Sequence, residues 1–310
     1  MGGSGGPFQL ALGLGGLAGG LGLMTWALRQ AGQTSVAMAL ARLRRAGPLE
    51  ALLLGLVLTA VMQSSSTFGL LLVGAVGAGW MDVRVAQAAV VGSNLGTTIT
   101  AHLTAVPSLG LAWTVATAGL VLVLAGLGRP ALRAAGLAAL GLGAALTGLD
   151  MVGRALEPLA SARGPVAAWN RLDAAPHLAF IAGVIISATA LSSGAVIALL
   201  QRVVATGVLP VPASLPVIYG ANVGTTSDVL LAALLVRGPA LSVAAFHLVL
   251  NLVTTIAAAP LSPVLAALCA ALSADPARQV AWAHTLFNAT GALVVWPWLV
   301  RRFHSGGPGK

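Results

Sequence analysis

Long apolar runs alternate with a few short polar clusters along this chain. No charged residue occurs between Ala51 and Met81. As one helix this run would be about 46 Å long, whereas the hydrocarbon core of a bilayer is about 30 Å thick. A polar cluster, Gln63 to Ser66, lies near the middle of the run. The pattern therefore predicts a re-entrant hairpin whose two short helices meet at this cluster, halfway through a membrane.

The same succession of segments occurs twice, at an offset of 128 residues. Leu12–Leu28 and Leu140–Leu156 are identical at eight of 17 positions, and GSNLGTT at Gly92 meets GANVGTT at Gly220 in the same ungapped frame. Chance similarity between apolar helices does not explain the shared Asn-x-Gly-Thr-Thr. An internal duplication is therefore predicted.

Each copy divides into the same predicted elements. In the first copy they are a span over 8–28, the hairpin over 51–81, a third element over 85–106 broken at Asn94-Leu-Gly-Thr, and a fourth over 111–128, after Pro107 and Gly110. A short apolar piece (261–272) and a last span (279–300) follow the second copy. The predicted units are 8–128, 136–259 and 260–303, with flexible termini at 1–7 and 304–310.

The number of crossings predicts the arrangement of the two copies. A hairpin does not change sides, so each copy crosses three times and the second copy is inverted, as in many secondary transporters. The predicted fold class is an all-α integral membrane protein with two inverted-topology repeats. Each repeat has a re-entrant helical hairpin and a broken transmembrane helix.

The composition requires a lipid environment. Of the 310 residues, 58% are hydrophobic and only 7% are charged, against about 25% in soluble domains. The net charge of +9 comes from arginines at the ends of apolar runs, which is typical of membrane-surface anchoring and not of nucleic-acid binding. The one cysteine, Cys269, excludes an internal disulfide and a cysteine-based metal site. No cleavable signal peptide is expected, because the start lacks a basic region.

The positive charges also predict an orientation. One face of the predicted topology carries five of the 16 cations and the other carries the remaining eleven; the five are Arg154, Arg163, Arg171, Arg202 and Arg278. The richer face is therefore predicted to be cytoplasmic in a bacterial inner (plasma) membrane. The N-terminus would lie outside and the C-terminus inside.

The polar clusters suggest a binding site. Helices that meet at Gln63 to Ser66 leave unpaired N–H groups that favour an anion and unpaired C=O groups that favour a small cation. Two hairpin tips and two Asn-x-Gly-Thr breaks, related by a pseudo-two-fold axis, would converge on one site. No Arg or Lys is expected there. The alternative is that these serines and threonines only hold helices together.

These motifs resemble those of the type II sodium–phosphate cotransporters, from about Gly13 to Trp298. The resemblance implies transport of phosphate with sodium, no enzymatic activity, no cofactor besides the coupling ions, and a fold similar to that of inverted-repeat dicarboxylate transporters. The expected partners are phosphate, sodium and lipid, and a homodimer is left open. The implied phosphate-binding residues are Gln63, Ser64, Ser65, Ser66, Ser192, Ser193, Asn94 and Asn222. The implied sodium-binding residues are Gln63, Ser66, Thr97, Thr98, Ser192, Thr225 and Thr226.

The second copy departs from that family pattern. Leu191-Ser-Ser-Gly194 replaces Gln-Ser-Ser-Ser. Transport of another anion, or coupling to protons, is therefore the alternative function. Asp228, six residues after Asn222, is a further candidate: it either binds the cation, takes a proton, or is a solvated carboxylate near the interface.

Other polar residues point to structure more than to chemistry. His247 with Asn251, and His284 with Asn288, are four residues apart and are expected to join helices. Asp150 is expected to pair with Arg154. A serine hydrolase would need His102, His247 or His284 beside a hairpin serine. The duplicated, pseudo-symmetric pattern argues against that function.

Overall fold

The computed structural model describes residues 5–106, 109–160 and 175–305, and every regular element in these ranges is a helix. The expectation of an all-α membrane protein is thus confirmed. In chain order the helices are α1 (Gly5–Leu43), α2 (Pro48–Met62), α3 (Ser65–Gly77), α4 (Val83–Thr104), α5 (Leu109–Ala125), α6 (Pro130–Ala160), α7 (Pro176–Ala190), α8 (Ser193–Ala205), α9 (Val211–Gly224), α10 (Ser227–Val236), α11 (Pro239–Ala258), a 3₁₀ turn (Ala259–Leu261), α12 (Ser262–Leu272) and α13 (Pro276–Ser305).

The described helices include both long and short apolar ones. Four segments are long and apolar enough to cross a membrane, namely Pro7–Gln30, Pro130–Ala155, Val211–Val236 and Pro239–Leu272. The apolar helices α2, α3, α5, α7 and α8 have 17 residues or fewer, below the roughly 20 that a perpendicular crossing needs. The chain is therefore a multi-pass membrane protein that also contains apolar helices too short to cross alone.

The offset of 128 residues recurs in the backbone. The helices α2 and α7 have 15 residues each, and α3 and α8 have 13 each. Gln63 and Leu191 end the first helix of each pair with φ of 52° and 51°, and Ser64 and Ser192 then cap the next helix in an extended conformation. Both copies thus build the same helix–turn–helix from different residues.

Duplicated glycines allow close helix crossings. A Cβ atom on Gly92 would overlap the carbonyl oxygen of Leu52, so α4 and α2 touch backbone to backbone. The equivalent Gly220 of α9 meets the carbonyl oxygen of Phe180 in α7 in the same way. Small residues at such crossings let helices approach closely where lipid removes the hydrophobic driving force.

The predicted break in the third element is present in only one copy. The helix α4 continues through Asn94 to Thr104, so the predicted break in the first copy is wrong. Its hydroxyl-bearing residues suit a continuous helix, because Thr97 and Thr98 donate back to carbonyl oxygens three residues earlier. In the second copy the helix is interrupted at Thr225–Thr226, where Thr226 N–H bonds to Val223 O in a 3₁₀ turn. Gly96 and Gly224 serve close crossings, against Leu56 and Val184.

The first helix is longer than its pattern predicts. The helix α1 extends to Leu43, well beyond the predicted end at Leu28, and continues through Gly32-Gln-Thr-Ser35, because no proline occurs between Leu28 and Gly47. Residues 5–7 and 304–305, within the termini predicted to be flexible, are helical. The rest of both termini, Pro107, Arg163 and Arg171 lie outside the described residues.

The last helix, α13, joins the two hydrophobic clusters of the core. Val280 and Phe287 pack in a cluster with α8 and α9, and Leu299 packs in another with α2, α3 and α4. Phe287 also stacks on Tyr219 of α9, with ring centroids 4.9 Å apart. The helix therefore supports the elements that carry both hairpin tips.

Candidate functional site

A cavity of about 400 Å³ lies between the two turns at Gln63–Ser64 and Leu191–Ser192, which are called the first and second tips. The helix α1 forms one wall, and the turn that precedes α3, Thr100 of α4 and the start of α8 form the other. The lining residues that can bind a ligand through polar atoms are Thr25, Arg29, Gln63, Ser64, Thr100 and Ser192. The structure therefore brings together three of the residues predicted for the site, Gln63, Ser64 and Ser192.

At the first tip, the predicted residues are held by local hydrogen bonds. Ser64 Oγ accepts from Thr67 N–H at 3.2 Å and donates to Thr67 Oγ1 at 3.0 Å. The side chain of Gln63 donates to the carbonyl oxygen of Ala60 and accepts from Thr100 Oγ1 at 2.7 Å. These bonds fix the turn that joins α2 to α3.

The second tip lies against the first. Ser192 Oγ accepts from Ala195 N–H at 3.2 Å, as Ser64 does from Thr67. Ser66 Oγ donates across the gap to Leu191 O at 3.5 Å. Gly194 lies beside Thr100 of α4, where a Cβ would be 3.5 Å from the Thr100 methyl. The missing third serine of the second copy is therefore replaced by a contact with the first copy.

Both tips present unpaired backbone donors. The first N–H groups of a helix have no intrahelical acceptor. The serine caps use those of Thr67 and Ala195, and no acceptor among the described residues is recorded for the N–H groups of Ser65, Ser66, Ser193 and Gly194. Of these four residues only Gly194 lines the cavity, together with the capping residues Ser64 and Ser192. Two helix N-termini thus lie at the cavity wall, and helix N-termini favour an anion.

A positive charge also lines the cavity, so the expectation of a site without Arg or Lys is wrong. Arg29 of α1 donates from its guanidinium to Thr67 Oγ1 in the first turn of α3. Its Nε atom is buried and has no acceptor. Because α1 continues past Leu28, Arg29 lies within a helix beside the tip and not in an interfacial loop.

The two predicted asparagines lie in a buried hydrogen-bonded chain between the repeats. Asn94 Nδ2 donates to Asn251 Oδ1 at 2.7 Å, and Asn251 Nδ2 donates to Asn222 O at 2.9 Å. His247 and His284 contact the Oδ1 atoms of Asn94 and Asn222 at 2.9 and 3.2 Å. Neither asparagine lines the cavity between the tips. The expected role of these histidines in joining helices is confirmed.

The four predicted threonines are buried next to these asparagines. Thr97, Thr98, Thr225 and Thr226 each donate to a carbonyl oxygen of their own helix. A hydroxyl that donates in this way keeps its lone pairs available, so these oxygens can accept a cation. They do not line the cavity.

Asp228 lies near the first tip. Gly69 of α3 contacts Val229 of α10, and Gly77 contacts Val236, so the two helices run parallel with their first turns side by side. Asp228 Oδ1 accepts from Val229 N–H at 2.7 Å. Its equivalent in the first copy is Thr100, which contacts the second tip. Each third element thus lies beside the hairpin of the opposite copy.

The geometry also bears on a serine hydrolase, on the pair of Asp150 and Arg154, and on a metal site. His102, His247 and His284 bond to Thr285, Asn94 and Asn222 and to no hairpin serine, which gives no support to a hydrolase. Asp150 pairs with Arg154 at 2.8 Å, as predicted. Within the described ranges, no three His, Cys, Asp or Glu residues form a metal site.

Sequence reasoning missed Arg29, Thr67 and Thr100. Arg29 was assigned to a membrane face because the predicted span ended at Leu28. The absence of proline between Leu28 and Gly47 was the signal that could have extended the helix through Arg29. Thr67 follows the serines directly, whereas nothing in the sequence pairs Thr100 with Gln63.

Comparison with known proteins shows the relationship of the chain. The sequence profile described as Na+/Pi-cotransporter matches residues 17–154 and 146–273. YqeW, an uncharacterized protein of Bacillus subtilis, is 27% identical over 250 residues, which cover 81% of each chain. The putative inorganic phosphate export protein YjbB of Escherichia coli is 27% identical over 247 residues, 79% of this chain and 45% of YjbB. The chain thus spans less than half of YjbB. No solved structure matches it.

Proposed function

Because the chain belongs to the Na+/Pi-cotransporter family, whose members are transporters and not enzymes, we propose that it transports inorganic phosphate across the bacterial inner membrane together with sodium. The observation that carries this proposal is the cavity between the two tips, with a helix N-terminus of each repeat at its wall. The export activity named for YjbB supports phosphate as the substrate. The direction of phosphate transport by this protein, export or import, stays open.

Phosphate binds in this cavity through donors of both tips. The N–H groups of Ser65, Ser66, Ser193 and Gly194, and the hydroxyls of Ser64 and Ser192, point the positive ends of dipoles at the ligand. Gln63 is bonded to Thr100 before the ligand arrives and contributes its amide after rearrangement. This assignment retains Ser65 and Ser66 as phosphate ligands, through their backbone more than through their side chains.

Sodium binds on the two sides of the cavity, within reach of the third elements. Ser66 and Asp228 supply oxygen atoms on one side, and Gln63, Thr100 and Ser192 on the other. Thr97, Thr98, Thr225 and Thr226 form the deeper candidates. Sodium prefers such oxygen ligands. The carboxylate of Asp228 would repel a bound phosphate unless a cation lay between them.

The mechanism is alternating access in an inverted-repeat frame. The short helices of each hairpin enter and leave on one side, so their tips meet near the middle of the membrane. The N-terminus lies outside and the C-terminus in the cytoplasm. The pair of copies exposes the tip cavity first to one side and then to the other.

The deciding experiment is uptake of radiolabelled phosphate into proteoliposomes, with and without a sodium gradient. Sodium-driven accumulation is expected. Liposomes with Gln63→Ala are the comparison, since this change removes a tip side chain and leaves the apolar packing intact. Equal uptake by protein-free and protein-containing liposomes would contradict the proposal.

A second function is favoured by one observation, the degenerate second tip at Leu191-Ser-Ser-Gly194. With fewer polar ligands than the first tip, it suits another oxyanion or coupling to protons. Competition of phosphate uptake by sulfate, arsenate and carboxylates distinguishes the substrates. A proton gradient that replaces the sodium gradient would establish the second function.

A further inference from the structure

Arg29 is a partly buried cation that has no carboxylate partner among the described residues. Five other arginines of the described chain lie within 4 Å of a carboxylate, namely Arg42, Arg84, Arg154, Arg202 and Arg278. No carboxylate of the described residues lies within that distance of Arg29, and its buried Nε has no acceptor. A partly buried guanidinium without a counter-ion is destabilised. An anion in the cavity would supply this counter-ion.

The guanidinium is held where an anion of the tip cavity would lie. It donates to Thr67 Oγ1, and Thr67 is tied to Ser64 by two hydrogen bonds. These bonds keep it at the first turn of α3, near the unpaired N–H groups of Ser65 and Ser66. A guanidinium has five donors in a planar fork, so one bond to Thr67 leaves others for a tetrahedral oxyanion.

We propose that Arg29 is a substrate-binding residue that contacts a phosphate-class oxyanion in the cavity between the tips. The proposal rests on the proposed function only in placing the anion in this cavity. One fixed positive charge reduces by one the number of sodium ions needed to neutralise the anion. Part of the phosphate affinity is then independent of sodium, and Arg29 sets this part.

The test is equilibrium binding of radiolabelled phosphate to the purified full-length protein in lipid nanodiscs, with saturating sodium and with none. Arg29→Gln is expected to weaken binding at least tenfold and to abolish binding without sodium. Arg29→Lys keeps the charge but loses the fork, and is expected to be intermediate. Arg133→Gln is the matched control, because Arg133 is exposed and lies at a different cavity.

Two outcomes overturn the proposal. One is a folded Arg29→Gln variant, verified by thermal unfolding, that binds phosphate as the wild type does with and without sodium. The other concerns the case in which Arg29→Gln does not fold. The proposal is then overturned if Arg29→Lys binds phosphate with the wild-type affinity both with and without sodium. If Arg29 only joined α1 to α3, its substitution would change the unfolding temperature but not the phosphate affinity measured without sodium.

The failure of this inference is distinguishable from that of the proposed function. If the wild type binds sulfate or arsenate, but not phosphate, in an Arg29-dependent manner, the substrate is wrong and the Arg29 site stands. If the wild type accumulates phosphate with sodium and Arg29→Gln does so equally, the transport function stands and the Arg29 site is wrong.

Discussion

At the scale of single residues, the two turns keep one backbone geometry with unlike side chains. Gln63 and Leu191 both adopt the left-handed conformation, which costs a residue other than glycine about 1 to 3 kcal/mol. Leu191 is exposed and lacks the amide of Gln63. The two copies therefore share the backbone conformation that directs the first N–H groups of α3 and α8, although their side chains differ. This supports a site in which backbone N–H groups bind the ligand.

The second tip has room for the hydroxyl that the first tip has. A Cβ on Gly194 would meet its nearest neighbour, the Thr100 methyl, at an ordinary distance of 3.5 Å. Gly194→Ser should therefore fold and add one hydrogen bond, worth about 1 kcal/mol, to a bound ligand. We expect phosphate or sodium to bind about fivefold more tightly than to Gly194→Ala, the control without the hydroxyl. Equal affinities of the two variants would contradict this.

Asp228 begins α10 beside the first turn of α3, and its carboxylate is suited to bind the coupling cation. Asp228→Asn is expected to lower the apparent sodium affinity more than the phosphate affinity, and to change the net charge moved in each cycle by one. Uptake currents at varied sodium measure both quantities. A pH dependence that the variant loses would instead assign a proton to Asp228. If sodium dependence, pH profile and transported charge all stay unchanged, Asp228 is a solvated carboxylate near the interface with no role in transport.

At the scale of elements, backbone crossings at glycine align the helices that hold the site. Gly92→Ala would force its Cβ into the carbonyl of Leu52, so α4 must shift away from α2. We expect a loss of at least about 2 kcal/mol of stability, or no folded protein. Gly74→Ala in α3 is the control, because nothing lies within 4 Å of its Cβ position. Thermal unfolding in detergent compares the two, and similar unfolding temperatures would contradict close crossing.

The sequence predicts those elements that are determined by the length of an apolar run and by turn residues. It does not predict whether the third element of each copy is continuous or interrupted. The short arms followed from a polar cluster inside an overlong apolar run. The break predicted at Asn94 did not occur, although the same Asn-x-Gly-Thr-Thr motif contains the interruption at Thr225–Thr226 in the second copy. The threonines of both copies donate to backbone carbonyls, so the motif alone does not decide between a continuous and an interrupted helix. The sequence predicts that the two tips meet, and they do. It also predicts Asn94 and Asn222 in the same site, but neither lines the cavity. Their partners, His247 and His284, come from helices distant in sequence, so only the structure could separate them from the cavity.

At the scale of the whole molecule, the two copies interlock. The hairpin helix α3 packs on α10 of the second copy, and Gln201 of α8 bonds to Thr104 and to the carbonyl of Ala101, both in α4 of the first copy. The tips themselves meet at Ser66 and Leu191. These contacts join the tips to each other and to the opposite copy, and we propose that the two tips move as one unit in the transport cycle.

In the proposed function, phosphate and sodium share one site, and their binding is coupled. If sodium offsets the charge of phosphate that Arg29 leaves uncompensated, each ligand must increase the affinity for the other by the same factor. For a coupling free energy of 1 to 3 kcal/mol, this factor is roughly 5 to 150. Calorimetry of phosphate binding at rising sodium, and of sodium binding at rising phosphate, should give equal factors. Choline in place of sodium is the control for ionic strength. A phosphate affinity that is the same in sodium and in choline would exclude sodium coupling, while leaving the anion site between the tips intact.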